Sequence, residues 1–319
     1  MRAVVYDRYG GPDELRLEDV PVPVPRAGQV LVEVVATSIN LSDWESLTGR
    51  PAYARMGGLT APRRHVLGSD IAGRVAAVGP GVLAFRVGDE VYGDNLQLMG
   101  GFAEYAVAPA SALAPKPAGL SFAEASTIPQ SGAIALQAVA RVKPGERMLI
   151  NGAGGGSGSF AMQLAKAAGV HVTGVDNAAK LAFVRELGAD EVIDYRAQDF
   201  TRTGPYDLIV DFVASRSVFA YRRALARGGR YFMVGGTTRT IFRLLTLGTL
   251  VGAVTGTRLG LLVVQEGPSH FTPLADRILA GEVSVHIDSV HPLEAVPHAL
   301  AHHGEGRALG KVVVAVRPE

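Results

Sequence analysis

No cysteine occurs among the 319 residues of this chain. That absence excludes disulfides and any thiolate-bound metal centre, so the chain relies on a packed core alone. A surplus of either charge is missing too. The 31 Lys and Arg face 30 Asp and Glu, a net charge of +1, which gives no electrostatic basis for binding nucleic acid or an anionic membrane. Basic residues gather locally at Arg55, Arg63 and Arg64 and at Arg222, Arg223, Arg227 and Arg230, and both groups read as solvated faces. The apolar stretch Leu244–Thr257 is only 14 residues long and is broken by Gly248, Gly252 and Gly256, whereas a spanning helix needs about 20 apolar residues. Met1-Arg2-Ala3-Val4-Val5-Tyr6 runs directly into a strand with no apolar signal core, so a cytoplasmic location is expected.

What is present is 48% hydrophobic and 19% charged residues, the balance of a well-packed α/β protein with room for two domains. The most informative segment is Arg147-Met148-Leu149-Ile150-Asn151-Gly152-Ala153-Gly154-Gly155-Gly156-Ser157-Gly158. An apolar strand enters a glycine cluster there. A helical stretch from Phe160 to Ala168 follows, closed by Gly169, and a second strand, Val170 to Val175, ends at Asp176. Glycines at such a turn let backbone approach a pyrophosphate, and the exposed N–H groups of the helix start favour its charge. The spacing Gly152-x-x-Gly155-x-x-Gly158 departs from G-x-G-x-x-G. The complete strand, turn, helix, strand and terminal acid nevertheless point to a dinucleotide site involving Gly152, Gly155, Gly156, Ser157 and Gly158.

Upstream, short β-branched segments separated by Gly and Pro (Val30–Val35, Ile71–Val78, Glu90–Tyr92, Ala103–Val107) predict a mostly antiparallel β domain. Ser121, three residues before Glu124, reads as a helix N-cap. Beyond it, strands near Met148–Asn151, His171–Val175, Glu191–Ile193, Asp207–Asp211 and Tyr231–Val234 alternate with helical stretches such as Ala179–Leu187 and Val218–Ala226. That alternation predicts a doubly wound parallel sheet. The tail gives a helix Thr272–Ala280, a strand, a helix Leu293–His302 and a last strand Lys311–Val316. Gly260–Val264 reads as an uncharged edge strand able to pair with its copy in a homodimer. Ile241, Phe242, Leu244, Leu245 and Leu247 in Thr237–Thr257 could line a pocket, pack between subunits or touch a membrane surface.

In order and spacing, several segments resemble the medium-chain dehydrogenase/reductase superfamily, in its zinc-independent quinone-oxidoreductase-like branch. They are Val66-Leu67-Gly68-Ser69-Asp70-Ile71-Ala72-Gly73, Val87-Gly88-Asp89-Glu90-Val91-Tyr92-Gly93, Lys143-Pro144-Gly145-Glu146, Leu187-Gly188-Ala189-Asp190, Val192-Ile193-Asp194-Tyr195, Val234-Gly235-Gly236 and Gly310-Lys311-Val312-Val313. The resemblance covers essentially the whole chain. It implies a chaperonin-10-like β domain formed by residues 1–121 and 267–319, and a Rossmann dinucleotide-binding domain at residues 122–266.

Zinc members of the superfamily supply a Cys, the His of a Gly-His-Glu motif and a further Cys. This chain has Ser38 or its neighbours, Ser69-Asp70 after Gly68, and no cysteine, so no metal is expected, and His65 alone makes no zinc centre. Without a Lewis acid the credible acceptors are those that delocalise the incoming negative charge, quinones and α,β-unsaturated carbonyls. Asp176 argues for NAD, because an acid there repels a 2′-phosphate. Lys180, Tyr195 and Arg307 stand where NADPH-using quinone reductases hold that phosphate, and together they favour NADP(H). The resemblance also implies that Asn40 contacts the nicotinamide ribose beside the substrate, and that Thr127, Gln130, Gly235 and Gly236 border the ring. Asp43 is a catalytic candidate or a brace of its helix start, and Tyr53 a proton donor or stacking residue. The rival readings are an enoyl-thioester reductase, whose carrier arm the Arg55, Arg63 and Arg64 group could serve, and a non-catalytic dinucleotide sensor or structural protein.

Overall fold

The computed structural model describes residues 1–319, Gly57 by its backbone alone. The chain divides into two compact units, one made of Met1–Ala133, Gln265–Gly281 and Val285–Glu319, the other of Ile134–Val264 and Glu282–Ser284. The first boundary falls inside the helix Pro129–Val139, beyond the expected one at residue 121. The reason is packing. The helix Phe122–Thr127 lies on the strands Gln29–Ser38 and Asp70–Val78, so it belongs to the β unit although the helical pattern begins there. Its start is built as expected, with the Ser121 hydroxyl accepting from Glu124 N at 3.1 Å and the Glu124 carboxylate accepting from Ser121 N at 3.0 Å, a reciprocal capping box.

The β unit is a seven-stranded sheet in which Gln29–Ser38 pairs with Asp70–Val78, with Tyr105–Pro109 and with the C-terminal strand Lys311–Ala315, all antiparallel. The tail therefore returns to complete the first domain. One parallel pair, Ile287–Pro292 with Lys311–Ala315, departs from the antiparallel pattern. Val30, Val32, Val34, Ile71, Val91, Phe102, Val312 and Val314 form its core. Alternate residues of neighbouring strands meet on one face, which is the period-two rule made three-dimensional.

The second unit is a six-stranded sheet, parallel throughout. Its spatial order runs Glu191–Asp194, His171–Asp176, Arg147–Asn151, Tyr206–Asp211, Leu225–Met233, Arg258–Leu261. Met148, Leu149 and Ile150 are wholly buried, as expected of a central strand covered on both faces. The order reverses direction between Arg147–Asn151 and Tyr206–Asp211, and ligands of doubly wound sheets bind at such a switch point.

One expectation for this unit needs correction. The edge strand is Arg258–Leu261, so Val263 lies beyond it and is 76% exposed. The segment after Gly236 is a nearly continuous helix, Thr238–Arg243 and Thr249–Thr255 joined through a π-helical stretch, Leu244–Gly248, and stopped by Gly256 at φ +64°. Leu244 is buried under it, while Phe242, Leu245, Leu250 and Val254 are exposed. No helix of the described residues is long and apolar enough to cross a membrane.

Candidate functional site

The strand Arg147–Asn151 ends in a turn whose geometry dictates glycine. Gly152 has φ +86°, a region costly for residues with a Cβ. A Cβ on Gly158 would lie 2.1 Å from the Gly152 carbonyl oxygen, so only glycine lets the helix Gly156–Ala167 start this close to the strand. Its first N–H groups have no intrahelical acceptor and collect the positive end of the helix dipole. Backbone donors at a switch point, with no side chain in the way, fit a pyrophosphate.

Around this turn the side chains differ from a simple reading of the terminal acid. Asp176 is 7% exposed, and its carboxylate accepts from Gly154 N at 2.9 Å, Asn177 N at 2.8 Å and Asn177 Nδ2 at 3.2 Å. Both oxygens are thus committed to the turn. Lys180 is buried with its stem against Gly154, where a Cβ would come 3.0 Å from Lys180 Cδ. Tyr195 is 37% exposed, and two guanidinium groups flank it: Arg196 at 5.6 Å from its ring centroid, and Arg216, whose Nη2 donates to the Tyr195 carbonyl at 3.4 Å. Neither arginine stood out in the sequence. Gly235 and Gly236 follow the strand Leu225–Met233 with φ +72° and +109°. Arg307 belongs to the β unit, where it pairs with Glu305 at 2.8 Å.

The β unit holds a second polar assembly, and here side chains do the work. Asn40 is 4% exposed. Its Nδ2 donates to Ser69 Oγ at 3.0 Å and to Asp70 Oδ2 at 2.8 Å, while its Oδ1 accepts from Lys311 Nζ at 2.6 Å and from Ser131 Oγ at 3.4 Å. All four hydrogen-bonding positions of the amide are filled. Lys311 also donates to the Ile39 carbonyl and to Ser131 Oγ, each at 3.2 Å, and stands 3.7 Å from Asp70. Asp70 accepts further from Ser38 Oγ and Gln130 N. Burial pushes the Asp70 carboxyl up and the Lys311 ammonium down, and their pairing opposes both shifts.

Asp43 is wholly buried beside them. It accepts from Asn40 N at 2.8 Å, Gly68 N at 3.0 Å and Ser69 N at 3.1 Å, which ties the start of the helix Leu41–Thr48 to the Gly68-Ser69 turn. Burial pushes its carboxyl up to about 7 against those backbone bonds. This geometry is that of a brace. Thr127 is also fully buried, its hydroxyl donating to the Glu124 carbonyl of its own helix at 2.7 Å. Tyr53, in the short helix Ala52–Gly57, donates its hydroxyl to Glu45 Oε1 at 2.9 Å. Burial raises Glu45 to about 7, opposed by that bond, and raises the Tyr53 phenol as well. Glu45 was not singled out in the sequence, because a carboxylate on an amphipathic helix ordinarily faces water.

The donor set does not fit zinc. Ser38 and Ser69 offer neutral hydroxyls, the nearby carboxylate is engaged by a buried ammonium, and His65 Nδ1 lies 2.9 Å from Asp7 instead. Among the described residues no three His, Cys, Asp or Glu side chains could hold a metal ion. Two of the three arginines proposed for a carrier arm, Arg55 and Arg64, are engaged within the protein. Arg55 donates to the Gly49 carbonyl and lies over the Tyr9 ring, and Arg64 donates to the Leu96 carbonyl.

Comparison with known proteins agrees with both halves of this architecture. Residues 26–118 match the alcohol dehydrogenase GroES-like domain, and residues 187–314 match the zinc-binding dehydrogenase family. The chain is 32% identical to a chloroplast envelope quinone oxidoreductase homolog of Arabidopsis thaliana over 98% of each chain. It is 31% identical to a 2-methylene-furan-3-one reductase of Solanum lycopersicum, covering 98% of this chain and 79% of that one. The solved quinone oxidoreductase of Coxiella burnetii superposes with a TM-score of 0.91 at 29% identity, covering 99% of each chain. The fold and these relatives define a two-domain, dinucleotide-binding oxidoreductase. The chain belongs to the medium-chain dehydrogenase/reductase superfamily, in its quinone-oxidoreductase-like branch.

Proposed function

We propose that this chain reduces quinones or α,β-unsaturated carbonyl compounds with NADPH and without zinc. The observation that carries the acceptor class is the chemistry of the buried cluster: where zinc relatives need soft ligands, this chain has Ser38, Ser69 and an Asp70–Lys311 ion pair. Lacking a metal electrophile, the site suits acceptors whose negative charge spreads over an enolate or aromatic oxygen and needs only hydrogen bonds for stabilisation. Reduced nicotinamide supplies the hydride. Gly152, Gly155, Gly156, Ser157 and Gly158 would hold the pyrophosphate, with Gly235 and Gly236 as further backbone approaches. Asn40, saturated by Lys311, Asp70 and Ser69, serves as a rigid hub. Asp43 braces it through its backbone N–H. Steady-state oxidation of NADPH with a simple quinone, a small enone and an enoyl-thioester tests the reading. Turnover confined to the thioester, or absent with every acceptor, rejects it.

The preference for NADPH is supported by the Asp176 carboxylate being committed to Gly154 and Asn177, and by the cations of Lys180, Arg196 and Arg216 near the ends of the strands His171–Asp176 and Glu191–Asp194. Lys180→Ala is expected to weaken NADPH by about 1.5–3 kcal/mol, the range for a charge-assisted bond, and to spare NADH. Equal losses for the two cofactors, measured by direct titration, would return the assignment to Asp176.

A homodimer through the edge strand Arg258–Leu261 completes the proposal. Leu262 N donates inward to the Met233 carbonyl, so the preceding N–H, that of Leu261, points away from the sheet and is free to pair with a second copy. Leu261→Pro removes that donor. Light scattering at micromolar concentration should show a dimer for the wild type and a shift to monomer for the variant, and a monomeric wild type sinks the idea.

A further inference from the structure

The helix at residues 238–255 carries exposed apolar side chains that neither polar site uses. Packing settles its inner face. Leu244, Gly248 and Gly252, four residues apart, are buried, and a Cβ on Gly248 would come 3.6 Å from Leu259 Cβ of the edge strand, one on Gly252 2.7 Å from the Thr257 carbonyl oxygen. The two glycines let the helix lie close on that strand. Its outer face then follows from the helical period: Arg239, Phe242, Arg243, Thr246, Leu250 and Val254 recur every three or four residues, and all are exposed. Phe242, Leu250 and Val254 keep 67%, 62% and 80% of their surface in water. Large apolar side chains gathered on one outward helix face mark an interaction surface.

The charge of the same region says what covers it. A net charge of +1 for the whole chain hides a local excess: from Phe212 to Gln265 the sequence has eight arginines and no Asp, Glu or Lys. Arg239 and Arg243 stand one turn apart on the outer face, and neither forms an ion pair among the described residues. Arg258, which opens the edge strand just after the helix, is exposed as well. A second copy of the chain is a poor cover for this face. Two-fold symmetry sets identical residues against each other, so arginines would meet arginines with no acid in the segment to neutralise them.

An anionic bilayer satisfies both halves of the pattern. Acyl chains accept the apolar side chains, and headgroup phosphates accept the guanidinium groups, whose apolar stems lie along the boundary between them. We propose that the helix at residues 238–255 docks this protein on an anionic lipid surface, with Phe242, Leu250 and Val254 in the acyl boundary and Arg239 and Arg243 on the headgroups. The helix lies on the surface and does not cross it, because its inner face is held by Leu259 and the edge strand.

Sedimentation of the full-length protein with extruded vesicles tests this, one set of phosphatidylcholine alone and one of phosphatidylcholine and phosphatidylserine at about 7 to 3. The expected result at about 0.1 M salt is binding to the serine-containing vesicles and little to the neutral ones. Binding should weaken toward about 1 M salt, where the screening length falls from about 10 Å to about 3 Å. Arg239→Gln and Arg243→Gln should each lower the partition coefficient about fivefold, the factor for one basic residue at an anionic surface. Phe242→Ser combined with Leu250→Ser, at exposed positions that the fold does not need, should lower it at least about tenfold, with circular dichroism unchanged. No sedimentation with serine-containing vesicles, equal sedimentation with neutral ones, or undiminished binding by the folded variants overturns the proposal. So does a fall in the mass of the serine double variant in light scattering without lipid, which would make the face a contact between copies. Leu261→Pro probes the ladder edge and not this face, so the two tests stay separate.

Discussion

The two units build their polar sites by opposite means. In the nucleotide-binding unit the glycine turn is made of backbone, and its decisive feature is the absence of side chains at Gly152 and Gly158. In the β unit the cluster around Asn40 is made of side chains from four distant segments, at residues 38–43, 69–70, 130–131 and 311, with almost every donor and acceptor used inside the protein. One site is open to a guest by construction. The other is closed on itself, its polar atoms committed to one another. The first tolerates no added atom, the second no removed partner.

The largest effect should come from breaking the closed site. Lys311→Met leaves Asp70 buried without its cation, and losing one partner of a buried pair typically costs about 3–5 kcal/mol. Denaturant unfolding should show that loss, with much of it recovered when Asp70→Asn is added. If the single variant is as stable as wild type, the cluster is not a structural hub. Next in size is the open site. Gly158→Ala places a Cβ against the Gly152 carbonyl, and the strain should weaken dinucleotide binding by about 2 kcal/mol, roughly 30-fold. Circular dichroism should report an intact fold, and unimpaired binding would show that the turn is not the pyrophosphate site.

The smallest effect sharpens the comparison by pH. Glu45 is raised from 4.5 to about 7, so between those values the folded state holds more protons than the unfolded one and stability falls as pH rises. Glu45→Gln keeps an acceptor for Tyr53 but cannot ionise. Between pH 5 and 8 the wild type should lose about 1–2 kcal/mol relative to this variant, less than the full linkage because the pair is partly solvated. Parallel pH profiles for the two proteins would show that Glu45 titrates normally.

These differences explain what could be read in advance. The glycine turn was legible because steric demand concentrates in contiguous residues: Gly152 to Gly158 must lack side chains within one strand-to-helix turn. The capping box of Ser121 and Glu124 was legible for the same reason. Asp176 was half legible. Its place at the end of the second strand followed from the pattern, yet its carboxylate faces Gly154 and Asn177, an orientation that depends on how the turn folds over it. Val263 was misplaced because an uncharged apolar run shows that a strand exists without showing where its ladder ends.

By itself the sequence determined the alternation of strands and helices, the glycine turn between strand and helix, and the absence of thiolate ligands for zinc. Each of these depends on periodicity, on local steric need or on which elements a residue can supply, and those are properties of short segments. Only the tertiary structure decided that Lys311 reaches Asn40 and Asp70, that Asp43 braces a turn 25 residues away, and that Glu45 is desolvated beside Tyr53. Burial and charge pairing arise between residues far apart in the chain, and the energy of a buried charge is set by its neighbours in space.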